Sequence, residues 1–291
     1  MKAESKSKKE KIRRTVMIIS AICIVLSAAY LVYDLVWTPY HIKKINAAFE
    51  SDESSDTSQV TIENTEDKTP PVQEKYAEFK AKYPDFAGKF IAEEMEMDFP
   101  VVQYTDNEYY LKYTIDKVRD KHGALFVDYR NNLAELDRNT IIYGHNMGDG
   151  SQFGQLNMFK KLNYYKNCPV ITFNTIYKDY KWKVFAAFLI NTKAEDDNNH
   201  VFNYLQTDFK SDEAFDAYYK EALRRSYFIT DVDVTPQDKI LTMSTCSLAF
   251  EDSRFVVLAR LVRDGESEEV DTSAAYENPN QEFPQAVYDK K

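Results

Sequence analysis

A chain of 291 residues has room for one large domain with appendages or for two small ones. Its net charge of -10 is unevenly spread, with +5 over residues 1–14 and -15 over the rest. That acidity repels phosphates and argues against a nucleic-acid partner.

The basic residues between Lys2 and Arg14 lead into Val16 to Tyr33, a run without a charged residue, and Leu35-Val36-Trp37 carries the apolar stretch past Asp34. About twenty apolar residues span a bilayer core as a helix. Basic residues before the run and Trp37 and Tyr40 after it fit the positive-inside rule and an interfacial aromatic belt. The sequence therefore predicts a cytoplasmic basic head over 1–15 and a single-pass membrane anchor over 16–37. Everything after Thr38 is expected outside the cell. A cleaved signal peptide is the rival reading, since Ser27-Ala28-Ala29 offers small residues. The apolar run continues through that site, which favours an uncleaved anchor.

Residues 38–74 read as a juxtamembrane helix over His41 to Glu50 followed by a solvated linker. Ser51 to Thr69 is rich in Ser, Thr, Asp and Glu and poor in large apolar residues, and Pro70-Pro71 closes it. Tyr76, Phe79 and Tyr83 then recur at helical spacing and predict a short amphipathic helix ending before Pro84.

From there the texture is one of short strands and turns. Candidates are Lys89–Ala92, Phe99–Gln103, Ala124–Asp128, Asn139–His145, Val170–Phe173 and Tyr180–Ile190, with a final pair over Lys239–Cys246 and Arg254–Val262. Irregular links between them suggest a barrel or sandwich rather than alternating βα units. One helix interrupts the series. Ser211 is a good N-cap, Asp212 and Glu213 suit the first turn, and Phe215, Tyr218, Tyr219, Ala222 and Leu223 form an apolar face. The acidic tail over 264–291 contains Pro279 and Pro284 and is expected to be loosely ordered.

Three cysteines are few for an exported protein. Cys23 falls within the expected anchor, which leaves Cys168 and Cys246. A disulfide between them is one reading. The other is that Cys246 is an unpaired thiol whose chemistry is used, because Cys168 precedes Pro169 in an ordinary strand approach. Cys246 ends one predicted strand and Arg254 opens the next, so pairing of the two would set thiol and guanidinium on one rim. A nearby cation lowers a thiol pKa, and an acyl transfer needs donors for a developing oxyanion.

Of four histidines, His41 lies beside the membrane, His122 before Gly123 and His200 in a polar loop. His145 instead ends a stiff β-branched strand, within Tyr143-Gly144-His145-Asn146. With Cys246 it would complete the minimum for thiol acyl transfer: a nucleophile and a proton carrier. Metal chemistry is disfavoured, since Cys168, Cys246 and His145 lack paired ligand spacing and Glu93, Glu94, Glu96 and Asp98 lack the pattern of a calcium loop. No phosphate-cradling glycine motif is present, and no cofactor is expected.

At these residues the chain resembles the sortase family. Leu241-Thr242-Met243-Ser244-Thr245-Cys246 is similar to the sortase signature T-L-x-T-C. Tyr143-Gly144-His145-Asn146 is similar to its histidine segment, and Arg254 heads the strand after the cysteine as the family arginine does. The resemblance covers residues 75–263. Class B is indicated by the helical N-terminal extension, Gly123-Ala-Leu-Phe-Val-Asp128, Gly150-Ser-Gln-Phe153 and the helix over 211–226. One departure stands out: some class B members carry acidic residues directly after the cysteine, where this chain has Ser247 and Leu248.

The resemblance implies a closed eight-stranded sortase-type β-barrel with N-terminal helices, displayed outside a Gram-positive cell, and a cysteine transpeptidase. Cys246 would attack the threonine carbonyl of a C-terminal sorting motif on a surface protein. An amine of the peptidoglycan precursor would resolve the thioacyl enzyme. His145 carries over as general acid then base, Arg254 as the oxyanion-stabilising group, and Ser244 and Thr245 as pocket-lining residues. A pilin-polymerising role with a lysine nucleophile stays open, as do a non-catalytic surface binding module with a buried Cys246 and a hydrolytic cysteine protease.

Overall fold

The structure is a computed structural model that describes residues 2–37, 40, 44, 69–193 and 200–289. The expected juxtamembrane helix, the linker up to residue 68, His41 and the polar loop over 195–199 lie outside the described residues. Two compact units divide the chain, residues 1–54 and 55–291. In the first, α1 (Lys2–Val32) runs on as a π-helical turn to Trp37. Its 25 residues from Arg13 to Trp37 are long and apolar enough to cross a membrane.

The second unit begins with α2 (Glu74–Lys82). Tyr76 and Phe79 of this helix meet Phe86 edge-on, with ring centroids 5.5 and 4.8 Å apart. Strands β1 (Phe86–Ala92), β2 (Met97–Gln103), β3 (Leu125–Val127) and β4 (Asn139–Tyr143) follow. A 3-10 helix (Gly154–Lys160), α3 (Leu162–Asn167), β5 (Val170–Thr175) and β6 (Lys181–Asn191) come next. The chain continues through α4 (Asp212–Arg225), the short β7 (Phe228–Ile229), β8 (Ile240–Cys246) and β9 (Ser253–Leu261). It ends with β10 (Tyr276–Glu277) and α5 (Gln285–Tyr288).

Eight of these strands close a barrel, as the family resemblance implies, and their order is β1-β2-β3-β4-β8-β9-β6-β5. Neighbours are antiparallel except β2–β3 and β4–β8. Closure leaves no open edge to template aggregation. Side chains alternate between two apolar layers. Leu241 and Met243 of β8 and Phe255, Val257 and Ala259 of β9 point into the barrel core. Ile240, Val256 and Leu258 point outward into a second layer formed with α4 and the Phe202–Phe209 segment.

That outer layer depends on α4. Its Ser211 N-cap accepts a hydrogen bond from Ala214 N at 3.2 Å, and Phe215, Tyr218 and Ala222 are buried on one stripe. The last carbonyls of a helix lack intrahelical partners. Here the tail supplies them. Asn278 Nδ2 donates to Ser226 O at 2.9 Å, Gln281 Nε2 to Arg225 O at 2.9 Å and Glu282 N to Arg224 O at 2.9 Å. β10 pairs with β7, setting Tyr276 opposite Ile229. The expectation of a loosely ordered tail is therefore corrected from Tyr276 onward: its acidic composition hides a docking sequence of amides and aromatics.

Candidate active site

The parallel β4–β8 ladder and the antiparallel β8–β9 ladder decide which distant residues meet. Tyr143 lies opposite Ser244, and Gly144 N donates to Ser244 O at 3.2 Å. The same register carried one step further sets His145 level with the Thr245–Cys246 end of β8. Across the other ladder, Cys246 pairs directly with Arg254. The three candidates thus stand at one end of three adjacent strands, on the side away from the barrel core.

His145 is held from several directions. Its Nε2 lies 2.8 Å from Leu111 O. A carbonyl only accepts, so this nitrogen carries the proton and Nδ1 is the one left for proton exchange. Phe153 N donates to His145 O at 3.0 Å and Asn146 bridges to Gln152, which closes the following loop. Gly144 is needed beside it, because a Cβ there would meet Leu125 Cδ2 at 2.3 Å and the Phe153 ring at 2.8 Å.

Cys246 is exposed and free. After it, the loop to β9 folds onto itself: Ser247 N donates to Ser253 O at 3.0 Å, and Ser253 Oγ lies 2.7 Å from Phe250 O. Asp252 takes a left-handed φ of 56° and pairs with Lys193 at 2.6 Å. Arg254 is half-buried and donates to its neighbour Ser253 O at 3.1 Å. Among the described residues no carboxylate forms an ion pair with it, so its charge is available for a ligand.

The two expected pocket-lining residues sit differently. Ser244 is 3% exposed, its hydroxyl hydrogen-bonded to that of Tyr204 at 3.0 Å. Thr245 is 2% exposed and alternates toward the barrel core, with an unpartnered Oγ1. Both lie beneath the site rather than on an open wall of it. Tyr204 was not singled out from the sequence, because nothing local marks it. It reaches the site from the outer layer, and burial pushes its phenol up.

The other candidates are structural. Cys168 is free and buried, and burial followed by nearby Glu94 pushes its thiol up to about 12. All three cysteines are unpaired, which removes the disulfide reading. His122 is buried between Asp120 at 2.7 Å and Asp149 at 3.3 Å, and His200 pairs with Glu221 at 2.7 Å. Among the described residues, no group of three His, Cys, Asp or Glu side chains is arranged to hold a metal ion.

A thiol, an imidazole and an unpaired guanidinium at one rim suit cysteine acyl transfer, and the comparisons with known proteins agree. A family model described as Sortase domain matches residues 91–262. The chain belongs to the sortase family. It is 34% identical over 169 residues to sortase B of Staphylococcus aureus, a match spanning 57% of this chain and 66% of that protein. It is 32% identical over 180 residues to sortase B of Listeria monocytogenes, spanning 61% of this chain and 70% of that one. A solved Staphylococcus aureus sortase B–substrate complex superposes with a TM-score of 0.67 at 28% identity, covering 79% of this chain and 98% of that structure. This sortase is of class B, a family of cysteine transpeptidases that anchor surface proteins. Its long α4 and N-terminal α2 are the elements the class resemblance anticipates.

Proposed function

We propose that this sortase is held to the membrane by residues 16–37, with the catalytic domain over 75–263 facing outward. There it joins surface proteins to an amine of the cell-wall precursor through a thioacyl intermediate on Cys246. The observation that carries the reading is the level placement of His145, Cys246 and Arg254 across β4, β8 and β9. A similar sortase B has been solved in complex with a substrate, which supports a substrate-binding role for this chain.

In the first step the Cys246 sulfur forms a bond to the threonine carbonyl of the sorting motif. The C–N bond after threonine breaks, and the leaving amine takes a proton from the imidazolium of His145. In the second, the incoming amine attacks the thioacyl carbon, the C–S bond breaks with its electron pair returning to sulfur, and His145 accepts the amine proton. Arg254 faces the oxygen on which negative charge develops in both steps. Its lack of a carboxylate partner leaves nothing to be displaced first.

The test is incubation of the chain with a library of sorting peptides and added amines, read by mass spectrometry. A wild-type amide product that depends on the amine, and an adduct on Cys246, support the reading. Equal null turnover by wild type and Cys246→Ala would end it, and cleavage indifferent to amine would point to hydrolysis instead.

A further inference from the structure

Two segments hold His145 in place, and a second, buried histidine joins them. The first is the run from Tyr110 to Ala124, between β2 and β3. Its ends meet where Ala124 N donates to Tyr110 O at 3.0 Å, and Asp120 N donates to Lys112 O at 3.0 Å. Leu111 lies in this run, and its carbonyl accepts from His145 Nε2 at 2.8 Å. The second is the loop after His145, closed by the Asn146–Gln152 bridge and by Phe153 N donating to His145 O. Near its tip a Cβ on Gly148 would meet nothing within 4 Å, while Asp149 Oδ1 accepts from Ser151 N and Oγ at 3.0 and 2.6 Å.

His122 spans the two segments. It is buried, with Nδ1 2.7 Å from Asp120 Oδ1 in the first and Nε2 3.3 Å from Asp149 Oδ2 in the second. Its backbone N also donates to Asp120 Oδ1 at 2.9 Å. An ionised carboxylate only accepts, so the full bridge uses a proton on each ring nitrogen. Burial opposes ionisation of Asp149, but the Ser151 hydrogen bonds and then His122 hold its carboxyl below the usual range. The next residue carries the constraint to the site. A Cβ at Gly123 would meet Tyr110 O at 2.3 Å and Leu111 O at 3.2 Å, so the chain leaving His122 lies directly on the carbonyl that holds His145. A shift of His122 is therefore a shift of that carbonyl. A buried ion pair is often no better for stability than apolar side chains of similar volume. Folding alone does not account for a charged bridge between these two segments.

We propose that His122 is a positioning residue: by clamping Asp120 to Asp149 it fixes the Leu111 carbonyl and the 146–152 loop on either side of His145. It thereby aims Nδ1 of His145 at the reacting nitrogen and touches no reacting atom itself. The inference rests on the transpeptidase reading and adds a residue on which its proton transfer depends.

The test uses the full chain in detergent and the donor peptide that wild type turns over, made as the amide and as a thioester of the threonine carboxyl. Rates are corrected with Cys246→Ala. An amine leaving group needs the His145 proton, whereas a thiolate departs without one. Asp149→Ala cuts the clamp at its half-exposed end, and Ser151→Ala, which leaves the clamp intact, is the control. Asp149→Ala should lower kcat on the amide at least about tenfold, with KM within about twofold and the thioester rate within about threefold of wild type. Ser151→Ala should match wild type on both donors. His122→Gln should show the same split, and the double variant should be no slower than the worse single one. Asp149→Ala decides alone if His122→Gln does not fold. Unchanged amide turnover in Asp149→Ala, or equal loss on both donors, overturns the positioning role and leaves the transpeptidase reading standing. If wild type acts on neither donor, that reading falls and the positioning role with it.

Discussion

Cys246 and Arg254 are direct cross-strand partners in the β8–β9 ladder, and the guanidinium donates within the protein to the Ser253 carbonyl at 3.1 Å. A cation in that position contributes little to folding and much to a reaction that builds negative charge beside the thiol. Arg254→Ala should therefore separate activity from stability. We expect kcat/KM for transpeptidation to fall by about 10²–10³, with unfolding free energy within about 0.5 kcal/mol of wild type. Arg254→Lys should recover only part of the activity, because a point charge lacks the planar fork. Steady-state rates and urea melts of the same preparations check both.

The thiols of Cys168 and Cys246 should differ sharply. Cys168 has its pKa raised to about 12 by burial, and burial likewise raises Tyr165 and Tyr227 to about 12. Groups whose folded pKa lies above the unfolded value stabilise the fold below the unfolded pKa. That contribution is lost as pH rises toward the folded pKa. The window here runs from about pH 9 or 10 to about 12. Urea midpoints should hold through pH 8 and decline across this window. At pH 8, iodoacetamide should spare Cys168 and label Cys246, as peptide mapping would show.

Much of this was legible in the chain because the signals are local. All eight barrel strands coincide with β-branched or aromatic runs, and Ser211 with its acidic first turn marks the start of α4. The catalytic candidates were legible through motif spacing. Their meeting depends on the parallel β4–β8 pairing, which no local pattern encodes. The burial of Thr245 has a related cause: strand period two turns it to the core when Cys246 points outward. Tyr204 and the docked tail escaped notice because their partners, the Ser244 hydroxyl and the carbonyls ending α4, are non-local.

The tail gives a prediction that motif reasoning would not. Asn278 Nδ2 donates to Ser226 O at 2.9 Å and its backbone N donates to Tyr227 O at 3.0 Å. Asn278→Ala removes the side-chain donor to the carbonyls at the C-terminal end of α4 and should cost about 1–2 kcal/mol. A chain ending at residue 263 loses β10 and every one of these donors, so its melting temperature should fall further than that of the point variant. Differential scanning calorimetry of both chains would measure this. Equal melting of the truncated and full chains would show that the tail's contacts contribute nothing net.

Gly144 is the position at which fold and chemistry constrain each other most closely. It separates Tyr143, whose hydroxyl donates to Asp128 Oδ2 at 2.8 Å, from His145, whose ring is fixed by Leu111 O at 2.8 Å. A methyl group there would press on Leu125 at 2.3 Å and on Phe153 at 2.8 Å, two side chains that are themselves fully buried in the barrel core. Relief can come from two directions. If the core side chains shift, overpacking should cost about 1–3 kcal/mol. If the strand end lifts instead, stability is largely kept but His145 moves relative to Cys246, and a displacement near 1 Å can cost about 10²-fold in rate. Both routes lower activity, so Gly144→Ala should reduce kcat at least tenfold whichever is taken. Comparing its urea midpoint with its single-turnover rate tells them apart. Wild-type values for both would mean that the barrel core yields freely at Leu125 and Phe153, contrary to their tight packing.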